Sequence, residues 1–259
     1  MSKPEIRTVE VLRYVTPLRE GGSLPAIVEA DDDFMYVLKF RGAGQGKKAL
    51  IAELIGGEIA RAIGLKVPEL VFMQLDNRFS QTEPDEEIQD LLKFSVGLNL
   101  GLHYLSGAIT YDPSVSIADE LTASKVVLLD SLITNIDRTH RNTNILNWHK
   151  ELWLIDHGAA IYFHHSWDNW EKHAERLFPN VKDHVMLGRA SQLEAAAESI
   201  KESLNEQVLR GIISVVPDDF LTEERGGPGP AERRDVYLQF LMTRLSRLDL
   251  LTKEAQDAR

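Results

Sequence analysis

Along the front of the chain, apolar and polar positions alternate with the period of two that marks a half-buried strand. Thr8–Tyr14 (TVEVLRY) and Ala26–Ala30 both show it, and Phe34–Phe40 (FMYVLKF) is a dense run of β-branched and aromatic residues. The joints between them are turn-like, Gly-rich from Arg19 to Pro25 and acidic at Asp31-Asp32-Asp33. From Lys47 to Leu65 the period changes: Leu50, Ile51, Leu54, Ile55, Ile59, Ala62 and Ile63 predict one apolar helical stripe, with Gly64 placed to end it. Strands are predicted again over Glu69–Leu75 and Lys93–Leu100, with the polar stretch Asp76–Glu87 as their loop. These elements make a small antiparallel sheet carrying a single helix.

From Gly107 onward the pattern is mainly helical. Asp119–Ile136 carries an amphipathic run through Val126, Val127, Leu129, Leu132 and Ile133. Two short apolar pieces, Asn144–Trp148 and Leu152–Asp156, are joined by His149-Lys150-Glu151 and predict a hairpin. Trp167–Arg259 alternates helical segments with loops, breaks at the Gly- and Pro-rich Arg225–Pro230, and ends in a helix carrying Val236, Phe240, Leu241 and Leu245. The fold class read from this order is α+β. A boundary near Leu105 divides a sheet-bearing part, residues 1–105, from a helical part, residues 106–259.

Composition narrows what such a chain can do. Its 259 residues carry 29 Lys and Arg against 40 Asp and Glu, a formal −11, which disfavours non-specific nucleic-acid binding. A polyanionic ligand would need a local cationic pocket or a metal ion. With no Cys there is no disulfide frame, no thiolate nucleophile and no Cys-based metal site, in keeping with a cytoplasmic protein. No apolar run is long enough for a membrane span, and no secretory signal follows the polar start.

The most informative segment is ITNIDRTHRNTNILNWHKELWLIDHG, from Ile133 to Gly158. A helix ends, a polar loop offers Asp137, Arg138, His140, Arg141, Asn142 and Asn144, and a hairpin then leads into Asp156-His157-Gly158. Phosphoryl transfer needs an Asp beside the acceptor hydroxyl and hard oxygen ligands for Mg²⁺. Asp137, Asn142 and Asp156 supply those groups, with Gly158 expected to allow the sharp turn that aims Asp156. Such a loop is equally what Asx-turns and helix caps look like. Lys39 is the second feature. A Lys facing inward along an apolar strand must be paired, unless it snorkels to water. The helix that follows offers Glu53 and Glu58, and a helical wheel puts Glu58 in the apolar stripe and Glu53 off it. The third feature, Gly21-Gly22-Ser23, lets backbone N–H groups approach a phosphate, although most such triplets are hairpin turns. Neither a Walker A string nor a strict GxGxxG is present.

In order, the chain reads Gly turn, strand, strand with Lys, helix with Glu, strands, helical part, Asp-x4-Asn, hairpin, Asp-x-Gly: the layout of a two-lobed phosphotransferase. Over GGSLP (21–25), YVLKF (36–40), AELIGGEIARAIGLKVPE (52–69), NIDRTHRNTNIL (135–146) and LIDHG (154–158) it resembles the HipA-like bacterial kinases, cousins of the phosphatidylinositol 3- and 4-kinases. The resemblance covers roughly residues 8 to 165 and implies a two-lobed protein-kinase-like fold, ATP and Mg²⁺. It implies that Lys39 contacts the phosphates and Glu53, rather than Glu58, orients it. Asp137 would be the catalytic carboxylate and Asn142 and Asp156 the metal ligands, with Gly22 and Ser23 over the phosphates. Ile27, Val37 and Leu146 would wall the adenine.

Departures accompany it. The extra N-terminal subdomain of toxin-type members is expected to be absent, so their partner biology does not carry over. The HRD and DFG strings of ordinary protein kinases read Ile136-Asp137-Arg138 and Asp156-His157-Gly158 here. The expected activity is phosphoryl transfer to a protein Ser/Thr (Ser23 itself being one candidate) or a small alcohol, with nucleotidyl transfer as a variant. A nucleotide-binding pseudokinase is the second reading. A metal-dependent hydrolase built on His140, His157, His164 and His165 is a third.

Overall fold

The alternating front of the chain forms five strands: β1 (Thr8–Pro17), β2 (Ala26–Ala30), β3 (Met35–Lys39), β4 (Leu70–Leu75) and β5 (Gly97–His103). In the computed structural model, which describes residues 3–18, 24–222 and 228–259, they close into a barrel in the order β1-β2-β3-β5-β4. Four junctions are antiparallel. The fifth, β1 to β4 with Val9 opposite Met73, is parallel. The open antiparallel sheet expected from the pattern is therefore a closed barrel, because its closing pair joins strands distant in sequence. Val9, Val11, Val28, Tyr36, Leu38 and Met73 pack inside. Alternation along β3 sends Tyr36 and Leu38 inward and Val37 and Lys39 outward. Lys39 thus lies on the outer face of the barrel wall, not facing its interior.

Helix α1 (Gly46–Ala62) crosses that outer face, and every residue from Leu50 to Ala60 is buried. It ends as the sequence predicts. Gly64 takes φ +84°, the Leu65 N–H donates to Ala60 O at 2.9 Å and the Gly64 N–H to Arg61 O at 3.0 Å, a Schellman closure. The stretch expected as a loop, Asp76–Glu87, holds α2 (Arg78–Thr82) and the start of α3 (Glu86–Phe94), which runs on into the strand predicted from Lys93. Asp85 caps α3 by accepting from the Glu87 and Ile88 N–H groups, and Ile88 and Leu92 pack on the barrel core. Lys93 and Phe94 accordingly belong to α3, and β5 begins only at Gly97.

Beyond the barrel, β6 (Ile109–Thr110), β7 (Ile145–Trp148) and β8 (Glu151–Leu154) form a three-stranded sheet, with α4 (Glu120–Ile133) between β6 and β7. The β7–β8 turn is His149-Lys150, both at positive φ (+51° and +65°), the backbone of a type I′ hairpin without its usual Asn-Gly. Helices α5 (Trp170–Glu175), α6 (Leu193–Ser203), α7 (Glu206–Ile213), α8 (Asp218–Leu221), α9 (Pro230–Ser246) and α10 (Leu248–Ala258) complete the chain. One apolar cluster joins Leu54, Ile55 and Ile59 of α1 to Val127, Leu128 and Leu132 of α4 and to Phe240 and Leu241 of α9. It also takes in Leu70 and Leu100 from the barrel, so apolar contact is continuous across Leu105. Among the described residues no helix is long and apolar enough to cross a membrane.

Candidate active site

Lys39, at the end of β3, reaches across to α1. Its Nζ lies 2.6 Å from Glu53 Oε2 and 2.6 Å from Asp156 Oδ1. Glu53 is wholly buried, and its Oε2 also accepts the His157 N–H at 2.8 Å while Oε1 lies 3.5 Å from His157 Nδ1. Burial alone would push the Glu53 carboxyl up; the Lys39 charge and the His157 groups outweigh it and hold it at about 2. Burial likewise opposes the Lys39 ammonium, but Glu53 and Asp156 overcome that and raise its pKa above the ordinary lysine value. Asp156 differs from Glu53: its side chain is 47% exposed.

The backbone around Asp156 explains its aim. Asp156 itself takes φ +56°, whereas Gly158, expected to supply the sharp turn, is not among the positive-φ glycines. The glycine that matters is on α1. A Cβ on Gly56 would stand 2.8 Å from His157 Cβ, so only a glycine lets the helix approach that segment and bring Glu53 to the His157 N–H. Gly57 similarly admits Leu70.

The second half of the site is the loop after α4. Asn142 Nδ2 donates to Asp137 Oδ2 at 2.7 Å, and Asn144 Nδ2 donates to the same oxygen at 3.1 Å. Arg138 ties this loop to the first cluster, its Nη1 donating to Asn144 O and, at 3.3 Å, to Ile155 O, the residue before Asp156. The structure therefore brings Lys39, Glu53 and Asp156 into contact, brings Asp137 and Asn142 into contact, and links the two sets through one buried guanidinium.

The other expected residues fall as follows. Glu58 is buried but pairs with Arg61 at 3.2 Å, so the wheel's nomination of Glu58 for Lys39 fails. The wheel presumes one solvent-facing side, and α1 has none along Leu50–Ala60. Ile27 and Val37 are direct cross-strand partners on the Lys39 face, both half-buried. Leu146 is half-buried on β7, opposite Trp153. Gly22 and Ser23 lie outside the described residues. His157 and His164 are buried, His164 facing Tyr237 Oη at 3.0 Å. Among the described residues no three His, Asp or Glu side chains gather where they could hold a metal by themselves. Sequence reasoning passed over Asp130, His157 as a Glu53 partner, and Asn144 as a ligand of Asp137. A cavity of about 600 Å³ is lined by Lys47, Lys48, Tyr162, His165, Phe220 and Arg233 among others, and none of Lys39, Asp137 or Asp156 lines it.

A closed barrel whose lysine meets a buried glutamate of the adjoining helix, followed by a helical remainder, is a kinase-like α+β fold. The HipA-like kinase family matches residues 9–250, and the chain belongs to that family. Its fold is similar to that of the Helicobacter pylori proinflammatory kinase CtkA, at 12% identity over 98% of each chain with a TM-score of 0.57. Two structures of the Golgi casein kinase are also similar at 10% identity over 100% of this chain. One covers 72% of that chain with a TM-score of 0.49; the other, with Mn/ADP bound, covers 74% with a TM-score of 0.47. No curated protein matches the sequence.

Proposed function

We propose that this protein is an ATP- and Mg²⁺-dependent phosphotransferase that moves the γ-phosphoryl group to a hydroxyl acceptor, a protein Ser/Thr or a small molecule. The observation that carries the reading is the Lys39 ammonium held between sealed Glu53 and half-open Asp156. The nucleotide would lie between two lobes, residues 1–105 and 106–259, against Ile27, Val37 and Leu146, with Gly22 and Ser23 over its phosphates. Lys39 would neutralise phosphate charge, and Glu53, which has no route to water, would keep the amine in place. Asp137, steadied by Asn142 and Asn144, would take the proton of the acceptor hydroxyl.

The donor set suits Mg²⁺, which is commonly held by one or two protein oxygens with phosphates and water completing the shell, not by an all-protein cage. Asp156 and the amide oxygen of Asn142 would hold the ion. When bound, it supplies charge neutralisation across the phosphates. What the residues contribute is position and electrostatics, so few side chains carry the reaction.

Thermal shift with ATP and Mg²⁺, followed by transfer from γ-labelled ATP to protein and small-molecule acceptor panels, tests the reading. Label transfer should vanish in Asp137→Ala while nucleotide still binds. Absence of ATP binding at millimolar concentration overturns the proposal, and binding without transfer to any acceptor would make the protein a nucleotide-responsive binding module.

A further inference from the structure

Asp130 lies within the apolar run of α4, wholly buried, and each of its side-chain contacts leads toward the Asp137 loop or the chain packed beside it. Its Oδ2 accepts from Arg138 Nε at 2.6 Å and faces His184 Nε2 at 2.8 Å; its Oδ1 accepts from Asn135 Nδ2 at 3.0 Å. The Met186 N–H donates to His184 Nδ1 at 3.0 Å, which leaves Nε2 to carry the ring proton toward Asp130. From these partners the connections run on. Asn135 Oδ1 accepts the Asp137 N–H at 3.3 Å. Arg138 Nη1 grips Asn144 O and Ile155 O, and Asn144 in turn donates to the Asp137 carboxylate.

A buried ion pair is a poor way to gain stability, since apolar residues of similar volume commonly serve as well. Arg138 is not even fully used, because its Nη2 has no partner among the described residues. What the network does supply is a fixed spacing. The carboxylate of Asp130 fixes the plane of one guanidinium, and that guanidinium spans the loop bearing Asp137 and the strand end bearing Asp156.

We propose that Asp130 is a positioning residue, acting through Arg138 and Asn135, that sets the separation of Asp137 from Asp156. The proposal rests on the phosphotransferase reading above, in which those two carboxylates serve one reaction.

Arg138→Lys is the decisive variant. It keeps a cation opposite Asp130, and hence the fold, but a single ammonium cannot hold Asp130, Asn144 O and Ile155 O together. A misplacement of about an ångström in such a site costs on the order of 100-fold in rate. The expected result is a kcat lower by about that factor, with the KM for ATP rising by a much smaller factor because the Lys39–Glu53 contact is kept while Asp156 shifts. Asp130→Asn should show the same split with a lower melting temperature. Hydrogen exchange in Arg138→Lys should quicken over residues 137–144 and 155–157 and stay unchanged along α1. Unchanged kcat, or kcat and KM worsening together in step with the melting temperature, would overturn the proposal. Exchange needs no turnover. If the native chain transfers no label, the kinase reading fails by itself, and unaltered exchange in Arg138→Lys would separately refute the positioning role.

Discussion

Glu53 shows how much one side chain depends on its neighbours. It is a carboxylate without access to water, held ionised at about 2 against an ordinary 4.5 by Lys39 and the His157 groups. A group depressed in this way contributes stability that is complete above the unfolded value, near pH 4.5, and is lost as the pH falls through about 2. That contribution is on the order of 3 kcal/mol. Glu53→Gln should therefore flatten the acid limb of stability between those limits, measured by urea unfolding at a series of pH values. Asp130 is depressed as well: burial opposes its charge, and Arg138 and His184 outweigh burial, so some acid dependence remains in the variant. The contacts of Lys39 with Glu53 and Asp156, and of Asn142 with Asp137, join residues that a helix phrase, a strand and a spaced loop had marked, although the helix pattern by itself pointed to Glu58 in place of Glu53. Asp130 had no such mark. It reads as one polar letter in VVLLDSLI, and its partner Arg138 only turns back onto it once the chain has rounded the end of α4 at Thr134, in left-handed conformation.

At the scale of elements, two devices invite direct tests. Gly56→Ala raises helix propensity, yet its Cβ would sit 2.8 Å from His157 Cβ and 3.2 Å from the Ile133 Cδ1 atom. The expected outcome is a loss of about 1–3 kcal/mol by chemical denaturation, the overpacking cost exceeding the propensity gain. The β7–β8 turn predicts the opposite sign. Replacing His149-Lys150 by Asn-Gly suits two consecutive positive-φ positions and should stabilise by about 1 kcal/mol, read from the melting curve. The hairpin was legible from its apolar pieces. Helix α3 had its signals too, an Asp cap followed by Ile88, Leu91 and Leu92 at helical spacing, but they straddle the end of the acidic loop and the start of a strand-like run. The barrel had no local sign, since its parallel closure joins Thr8–Glu10 to Phe72–Gln74.

Across the whole molecule, the helical part is tied together by another buried cation. Arg244 of α9 donates to Leu132 O at 2.7 Å and Ser131 O at 2.5 Å at the end of α4. It also reaches the carbonyls of His173, Ala174 and Arg176 around the end of α5. Burial lowers its pKa to about 10, and the aligned carbonyls stand in for a carboxylate. Arg244→Leu leaves those oxygens without their donor and should cost about 3 kcal/mol or more, with a single cooperative transition at lower temperature in calorimetry. Helices were legible here but not their order of packing, and the buried arginine adds a polar tie among three of them to the apolar core they share.

One ammonium shared by two acids leaves a local surplus of negative charge where, on the proposed function, a polyanion would dock. Of the two acids only Asp156 opens to water, so an incoming anion that competes for the amine displaces that one and not Glu53. On the same proposal the evicted oxygen of Asp156 would be available to hold a divalent ion. Uptake of anion and cation should accordingly be reciprocal, each tightening the other in paired calorimetric titrations, and Lys39→Met should weaken that mutual help while leaving the ion on its own no worse bound.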